Sequence, residues 1–428
     1  MTHFGLLCPT ATGHLNTMLP LGRALQSRGH CVTLFGLLDA EARTRSAGLN
    51  FISIGERPFP QGSTKASLAK LGTLSGWRAV QYTARVIEET TVVFLKDAPQ
   101  AMVKAGVEAL VVDQASAEGG AIADALGIPF ITLCSAVVLN IEADIPPSFT
   151  AWAYSPTPLR RVRNQLGYLG ITQTPKPMMA IINQYRQESN LEPYKGFNDQ
   201  YSKLAQISQQ PAEFEFPRKQ LPSWFHFTGP FHSSVGREVA DFPYDQLTGK
   251  PLIYASLGTI QNRLVDVFAK IASACAELDV QLIISLGASA SPSTLPKLAG
   301  TPIVVKYAPQ LALIKKSTVV ITHAGLNTTL ECLSEGVPMV AIPITNDQPG
   351  VAARIVWAGC GEALPVKHVS AAKLETELRK LLTQPAYRQN AVRLQSAIRQ
   401  AGGVNRAVDI IEQAVSTRKP VIAKMNLR

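Results

Sequence analysis

One stretch of the chain, residues 307–348, concentrates polar side chains around the end of a predicted buried strand. The β-branched run Val319–Thr322 stops at His323, and Gly325, Asn327 and Thr328 open an apolar-periodic segment typical of a helix. A strand that ends at glycine and polar residues and leads into a helix presents unpaired backbone N–H groups at the positive end of the helix dipole. This pattern predicts a phosphate-binding turn.

Side chains further along this stretch could hold hydroxyl groups. Glu331 is predicted to lie on the first turn of the helix, where a carboxylate can reach ribose hydroxyls. Asp347 and Gln348 follow a second predicted strand, residues 338–342, and add an acceptor and a mixed donor–acceptor. A phosphate-binding turn, a carboxylate that accepts hydrogen bonds from a ribose, and two polar side chains that can bind sugar hydroxyls together indicate a nucleotide sugar as the ligand.

A second candidate site lies near the start of the chain. His14 is predicted in the loop between the strand His3–Cys8 and the helix Asn16–Arg28, and a helix start disfavours positive charge. We therefore expect a neutral imidazole that can act as a general base, with Asp113, at the end of a strand, orienting it. Considered alone, His14 is better explained as a helix-capping residue and Asp113 as a cap or turn residue. A nucleotide-sugar site in the other half of the chain, facing the same cleft, favours a catalytic role for both.

The stretch at 307–348 resembles the donor-binding signature of the inverting UDP-dependent glycosyltransferases. It is most similar to bacterial members, in particular the zeaxanthin and macrolide-type glucosyltransferases. Two positions depart from the family pattern, because Tyr307 and Leu326 stand where tryptophans are usual. The residues that match in order are Pro309, Gln310, His323, Gly325, Asn327, Thr328, Glu331, Gly336, Pro338, Pro343, Asp347 and Gln348.

The resemblance implies a fold, a reaction and a set of contacts. The fold would be GT-B, an α/β architecture of two facing Rossmann-like, doubly wound parallel-sheet domains with a cleft between them. His14 and Asp113 would be catalytic in a direct displacement that turns an α-linked donor into a β-glycoside, and Gln348 is associated with glucose. The implied UDP-sugar contacts are Gly258, Thr259, Tyr307, Ala308, Gln310, His323, Gly325, Asn327, Thr328, Glu331, Asp347 and Gln348.

Strands alternate with helices in both halves of the chain, which predicts parallel sheets covered on both faces. We expect an acceptor-binding domain over residues 1–225, a linker over 226–250 and a UDP-sugar-binding domain over 251–403. Residues 404–428 would form a helix and tail, with the helix packing back on the first domain. The irregular residues 146–215 suit walls of an acceptor pocket.

The composition limits the class of protein. Of the 428 residues, 46% are hydrophobic, which excludes a disordered chain, and the formal net charge is +10. Charge alone would allow nucleic-acid binding, but no matching motif is present, so we expect none. The charge can steer anionic nucleotide sugars, and affinity for anionic lipid stays open. Scattered cysteines and the lack of a signal peptide predict a cytoplasmic protein, with the inner membrane surface as a peripheral location.

The sequence predicts neither a metal nor a cofactor. It contains no D-x-D, Walker or G-x-G-x-x-G motif, so helix dipoles and His323 are expected to neutralise the diphosphate of a UDP-sugar substrate. Apolar side chains in the first half favour a lipophilic, hydroxylated acceptor. Two alternatives remain: a UDP-sugar 2-epimerase on the same fold, and a non-catalytic UDP-sugar or lipid binder.

Overall fold

Two all-parallel sheets organise the chain. The computed structural model describes residues 1–74, 76–171, 175–232, 241–258, 264–287, 292 and 295–423. The strands of the first sheet are β1 (His3–Leu7), β2 (Cys31–Gly36), β3 (Asn50–Ser53), β4 (Ala109–Asp113), β5 (Phe130–Cys134), β6 (Gln206–Ser208) and β7 (Phe225–Phe227). Those of the second are β8 (Leu252–Ser256), β9 (Gln281–Ser285), β10 (Ile303–Val305), β11 (Val319–Thr322), β12 (Met339–Ala341) and β13 (Gly361–Ala363).

Both sheets have the strand order of a doubly wound nucleotide-binding fold. The first runs β3-β2-β1-β4-β5-β6-β7 and the second β10-β9-β8-β11-β12-β13. In each, the order reverses between two central strands, β1 and β4 in one and β8 and β11 in the other. Ligands of such sheets bind beyond the carboxyl ends of the strands at this reversal. The predicted fold class is confirmed.

Helices connect the strands. They are α1 (Thr12–Ser27), α2 (Glu41–Ser46), α3 (Ser63–Thr73), α4 (Gly76–Ala105), α5 (Glu118–Leu126), α6 (Pro158–Ile171), α7 (Lys176–Glu188), α8 (Val265–Ala276), α9 (Gln310–Lys316), α10 (Leu326–Ser334), α11 (Gln348–Trp357), α12 (Ala371–Thr383), α13 (Pro385–Ala401) and α14 (Gly403–Thr417). Within the described ranges, no helix is both long enough and apolar enough to cross a bilayer.

The central strands are buried on both faces, which explains their continuous apolar sequences. In β1, Leu6 joins the core on one side of the sheet and Leu7 the core on the other. In β11, Val319 and Val320 divide in the same way. Successive side chains of a strand point to opposite faces, so a strand covered by helices on both sides is apolar at every position.

The last helix, α14, packs on the first domain. Its apolar residues Val408, Ile410 and Ile411 belong to the same core cluster as Leu15 and Met18 of α1. Beyond α14 the chain pairs with the first domain again, since the backbone N–H of Val421 donates to the carbonyl of Leu204 at 2.9 Å. The carboxyl-terminal segment therefore ties the two domains together.

Several predicted boundaries differ from the structure. Helix α1 begins at Thr12 instead of Asn16, so His14 lies in its first turn and Pro20 lies in its interior. Residue 11 is an alanine without a side-chain cap, which left the start of the helix without a sequence signal. The pairing of β7 with β6 carries the first sheet to Phe227, past the expected boundary at 225.

Candidate active site

His14 and Asp113 lie at the strand-order reversal of the first sheet. His14 follows β1, and Asp113 is the last residue of the neighbouring strand β4. His14 Nδ1 and Asp113 Oδ2 are 2.9 Å apart, and the Asp113 side chain is fully buried while His14 remains partly accessible. Because Nδ1 faces the carboxylate, Nε2 is the nitrogen available to a substrate hydroxyl.

A third residue, Ser135, completes this cluster and was not predicted. It follows β5, which pairs with β4, and its hydroxyl donates to Asp113 Oδ2 at 2.5 Å. Its oxygen is also 2.8 Å from His14 Nδ1. Ser135 lies one residue beyond β5, the strand next to that of Asp113. Only the order of strands in the sheet indicates that it reaches Asp113, because an ordinary turn serine looks the same in the sequence.

The surroundings of His14 raise its pKa above the ordinary value of 6.5. Burial is the largest single contribution and lowers the pKa, but the charge and hydrogen bond of Asp113 and the charge of Asp347 outweigh it. The sequence-based expectation that the helix start keeps the imidazole neutral is therefore wrong in direction, because two carboxylates oppose the helix dipole. A higher pKa makes His14 a stronger base once it is deprotonated.

The turn after β11 holds His323 between two glycines. A Cβ atom at Gly258 would lie 2.9 Å from His323 Nε2, and one at Gly325 would lie 2.5 Å from it. Gly258 also has a φ of +82°, which disfavours any other residue. The structure thus brings these three predicted residues together at the strand-order reversal of the second sheet; Thr259 lies outside the described residues.

His323 is neutral near pH 7. Burial lowers its pKa to about 4, while a hydrogen bond with the Ser256 backbone opposes the shift. It can offer a neutral N–H, but no positive charge, to a phosphate oxygen. The start of α10 at Gly325 and Leu326 supplies the other donors and the helix dipole.

Gln310, Thr328 and Glu331 form a hydrogen-bonded group beside this turn. Gln310, at the start of α9, donates from Nε2 to Glu331 Oε2 at 2.5 Å and to Thr328 Oγ1 at 3.3 Å. Glu331 is buried and lies on the second turn of α10, not on the first, because the helix begins at Leu326. Tyr307 and Ala308 follow β10 at the same edge of the sheet, and both are half-buried.

Asn327 makes its contacts across the cleft. Its Nδ2 donates to the carbonyl of Gly13 at 2.8 Å, and its Oδ1 accepts from Gln209 Nε2 at 2.9 Å. Gln209 also donates to the carbonyl of Ser135 at 2.6 Å. The family resemblance implies that Asn327 contacts the donor; in the structure its amide joins the donor turn to the cluster around His14.

Asp347 and Gln348 stand at the start of α11. Asp347 Oδ2 accepts from the backbone N–H of Val137 in the first domain at 3.3 Å. Burial raises the pKa of Asp347, although the Val137 hydrogen bond and the His14 charge oppose this. Gln348 Oε1 accepts from the backbone N–H groups of Ile344 and Thr345, both at 2.9 Å, which fixes the loop before the helix.

A buried ion pair holds α11 against the first domain. Arg354 Nη2 lies 2.5 Å from Glu215 Oε1, and their side chains are 1% and 2% exposed. Arg218 adds a second contact to Glu215 at 3.3 Å. At Gly350, a Cβ atom would come within 2.2 Å of the Ser148 carbonyl, so the helix backbone touches the first domain directly. No pattern in the sequence predicts this ion pair.

The apolar side chains of the first half, which favour a lipophilic acceptor, have mixed positions in the structure. Val137 and Val138 are core residues, whereas Phe149 is 49% exposed. Tyr154 stacks on Phe216 with ring centroids 5.3 Å apart. The Trp77 side chain lies outside the described residues. Across the described ranges, no group of three or more His, Cys, Asp or Glu side chains is placed to hold a metal ion.

Comparison with known proteins gives matches along nearly the whole chain. A sequence model of the family described as "UDP-glucoronosyl and UDP-glucosyl transferase" matches residues 56–415. The zeaxanthin glucosyltransferase of Pantoea ananas is 32% identical over 428 residues, covering 99% of this chain and 98% of the relative. That of Pseudescherichia vulneris is 29% identical, covering 98% of this chain and 100% of the relative.

Solved structures share the fold. The glycotransferase of kitacinnamycin superposes with a TM-score of 0.77 at 21% sequence identity, covering 97% of this chain and 99% of that one. At this identity the likeness concerns the fold alone. It agrees with the two doubly wound sheets facing one cleft.

Proposed function

The chain belongs to the UDP-glucoronosyl and UDP-glucosyl transferase family, and on that premise we propose that it transfers glucose from UDP-glucose to a hydroxyl group of a lipophilic small molecule, with His14 as the general base. The family makes the chain an enzyme that moves a sugar from a nucleotide donor to a small-molecule acceptor. One observation carries the finer proposal. His14, oriented by Asp113 and Ser135, lies next to Gly13, which Asn327 of the donor turn contacts directly.

His14 acts on the acceptor. Nε2 accepts the proton of the acceptor hydroxyl as its oxygen attacks the anomeric carbon of the sugar, and the bond from that carbon to the UDP oxygen breaks. The proton then resides on the imidazole, and Nδ1–H donates to Asp113, whose carboxylate stabilises the imidazolium. The hydroxyl of Ser135 donates to the same carboxylate oxygen and keeps it in place. Attack opposite the leaving group inverts an α-linked donor into a β-glycoside.

The second domain receives the departing UDP. Charge accumulates on the diphosphate as the sugar leaves, and preorganised donors that face this charge lower the barrier. The N-terminal turn of α10 and the neutral imidazole of His323 supply such donors without a charged side chain. Glu331 and Gln310 suit the ribose, Tyr307 suits the uracil face, and Gly258, Ala308 and Thr328 line the same edge.

The sugar and the acceptor are inferred from chemistry and from likeness. Asp347 and Gln348 lie at the start of α11, on the side of the donor turn that meets the first domain, and they offer acceptors and an amide to sugar hydroxyls. Two relatives that match over nearly their whole length are named zeaxanthin glucosyltransferases, and zeaxanthin is a lipophilic diol. A hydroxycarotenoid is therefore the acceptor we propose to test first.

Product analysis tests the proposal. The protein is incubated with UDP-glucose and a panel of hydroxycarotenoids, terpenoid alcohols and phenols, and the products are identified by mass spectrometry. We expect acceptor-dependent UDP release and a hexosylated product with a β-linkage. A new UDP-sugar formed without acceptor would point to an epimerase, and no turnover with any acceptor would point to a binder; either result would contradict the proposal. UDP-galactose and UDP-glucuronate serve as donor controls.

A further inference from the structure

Helix α6 carries an apolar stripe that faces solvent. Leu159, Val162, Leu166 and Leu169 follow one another at spacings of three, four and three residues, which places them on one side of the helix. Their exposed fractions are 78%, 52%, 63% and 61%. Single exposed apolar residues are ordinary, but four in register on one helix form a contiguous surface that soluble proteins rarely leave bare.

This stripe is not the face by which α6 packs on its own domain. Asn164 is buried, and its Nδ2 donates to the carbonyl of Ala143 at 3.1 Å. A Cβ atom at Gly167 would lie 2.9 Å from the Trp152 ring and 3.1 Å from Pro147. These two residues project from the opposite side of the helix, so α6 is anchored by one face and presents a second apolar face outward.

Charge limits what could cover the stripe. Helix α6 contains Arg160, Arg161 and Arg163 and no acidic residue. Arg160 is exposed, while Arg163 lies over the Trp152 ring at 4.6 Å and Arg161 is 3.6 Å from Asp144. A second copy of α6 would bring six arginines together, which opposes pairing. An anionic surface is complementary to both the apolar stripe and the guanidinium groups.

We propose that α6 docks the protein on the surface of an anionic lipid bilayer, with the stripe in the acyl boundary and the arginines at the phosphates. A basic amphipathic helix with leucines on its other face binds membranes in this way, lying in the plane of the interface. At Gly167, α6 packs beside Pro147, and the carbonyl of the next residue, Ser148, lies against Gly350 of α11 in the second domain, so docking would set this side of the cleft near the bilayer. This inference goes beyond the proposed function and does not require it.

Vesicle flotation without donor or acceptor tests this surface. The full chain is mixed with phosphatidylcholine vesicles, either pure or containing phosphatidylglycerol, at low and at high salt. We expect flotation with the anionic vesicles, reduced at high salt, because each arginine near an anionic surface strengthens binding about five-fold. The variant L159Q/V162Q/L166Q/L169Q should lose flotation by at least about ten-fold, since its apolar contact is removed.

Matched controls make the result decisive. V103Q/V392Q changes two exposed apolar residues on α4 and α13 and should float like the wild type. Thermal unfolding of each variant verifies that it is folded. Wild-type protein that does not float, equal binding to neutral vesicles, or a stripe variant that floats normally would overturn the proposal. So would self-association that the stripe variant abolishes without any lipid binding, because the stripe would then join two copies.

Discussion

Asn327 of the second domain donates a hydrogen bond of 2.8 Å to the carbonyl of Gly13, the residue that precedes His14. The first turns of α1 and α10 are thereby joined directly, one from each side of the cleft. Each turn lies at the strand-order reversal of its sheet, where a ligand is expected. This bond couples the position of the donor turn to the position of the base.

Replacing Asn327 should lower turnover through misplacement of the two domains. N327A removes the bonds to Gly13 and Gln209, and each hydrogen bond is worth about 1 kcal/mol, so we expect kcat/KM to fall about ten-fold or more. N327D keeps an acceptor for Gln209 but cannot donate to Gly13. Steady-state kinetics should place N327D close to N327A; wild-type activity in N327D would show that the Gly13 bond has no role.

The pH dependence should report the carboxylate beside His14. The pKa of His14 is raised in part by Asp113, and only the deprotonated imidazole is a base, so the rate should fall as the pH drops through the pKa of His14. D113N removes a negative charge and lowers the pKa of His14. We expect the acid limb of kcat/KM to move to lower pH and the maximum to fall about 100-fold.

The control for this profile is D124N, which alters an acid that pairs with Arg186 away from His14. Its acid limb should match that of the wild type. If the acid limb of the kcat/KM profile did not shift in D113N, a group other than His14 would control the loss of activity at low pH.

The buried ion pair of Arg354 and Glu215 should matter far more than a surface pair. R354M leaves the buried carboxylate of Glu215 with Arg218 as its remaining cation, beside the hydrogen bond from Gln210, and should cost about 3 kcal/mol of unfolding free energy. R379M breaks the exposed pair with Glu375 and should cost less than about 1 kcal/mol. Thermal unfolding compares the two, and equal midpoints would contradict this ranking.

The same pair should influence acid stability. Burial raises the pKa of Glu215, but Arg354 and Arg218 together bring it below 4.5. A depressed pKa stabilises the fold above the unfolded value and loses this contribution as the pH falls through the folded value. Without Arg354 the pKa of Glu215 rises and the carboxylate stabilises the fold less above that pKa, so the difference in stability between the wild type and R354M should be largest near pH 7 and narrow as the pH falls. Unfolding midpoints between pH 7 and pH 4 measure this difference.

Chelation tests whether a metal assists the departure of UDP. The sequence has no D-x-D motif, and the proposed function assigns the diphosphate to donors from α10 and to His323. We expect activity to be unchanged by EDTA and by added magnesium or manganese. A loss with EDTA that magnesium restores would contradict metal independence.

The strands, and the pairing of His14 with Asp113 in the site, can be predicted from the sequence. The half-buried edge strand Ile303–Val305 and the buried strand Val319–Thr322 are short β-branched runs, and both have the predicted bounds. The helix Glu118–Leu126 also matches, because Gly127 with a φ of +66° ends it. Placing His14 and Asp113 together needed only the rule that neighbouring parallel strands end at one edge.

Contacts between distant parts of the chain could not be predicted. Glu215 and Arg354 are 139 residues apart and belong to different domains, so no local pattern links them. The contact of Ser135 with Asp113 depends on the order of strands in the sheet. Asn327 matches a donor-binding signature, but its amide forms hydrogen bonds with the other domain. The pKa of His14 depends on Asp347, which only the closed arrangement of the domains brings near.

The kinetics and nucleotide affinity of H14A test the central claim most directly. We expect kcat to fall ~10²–10⁴-fold, as for loss of a general base, while the affinity for UDP measured by calorimetry stays that of the wild type. H30A, which removes a histidine bonded to Glu412 at the far end of α1, should retain full activity. An unchanged kcat in H14A, or a loss of UDP affinity that accounts for the whole effect, would contradict the role of His14.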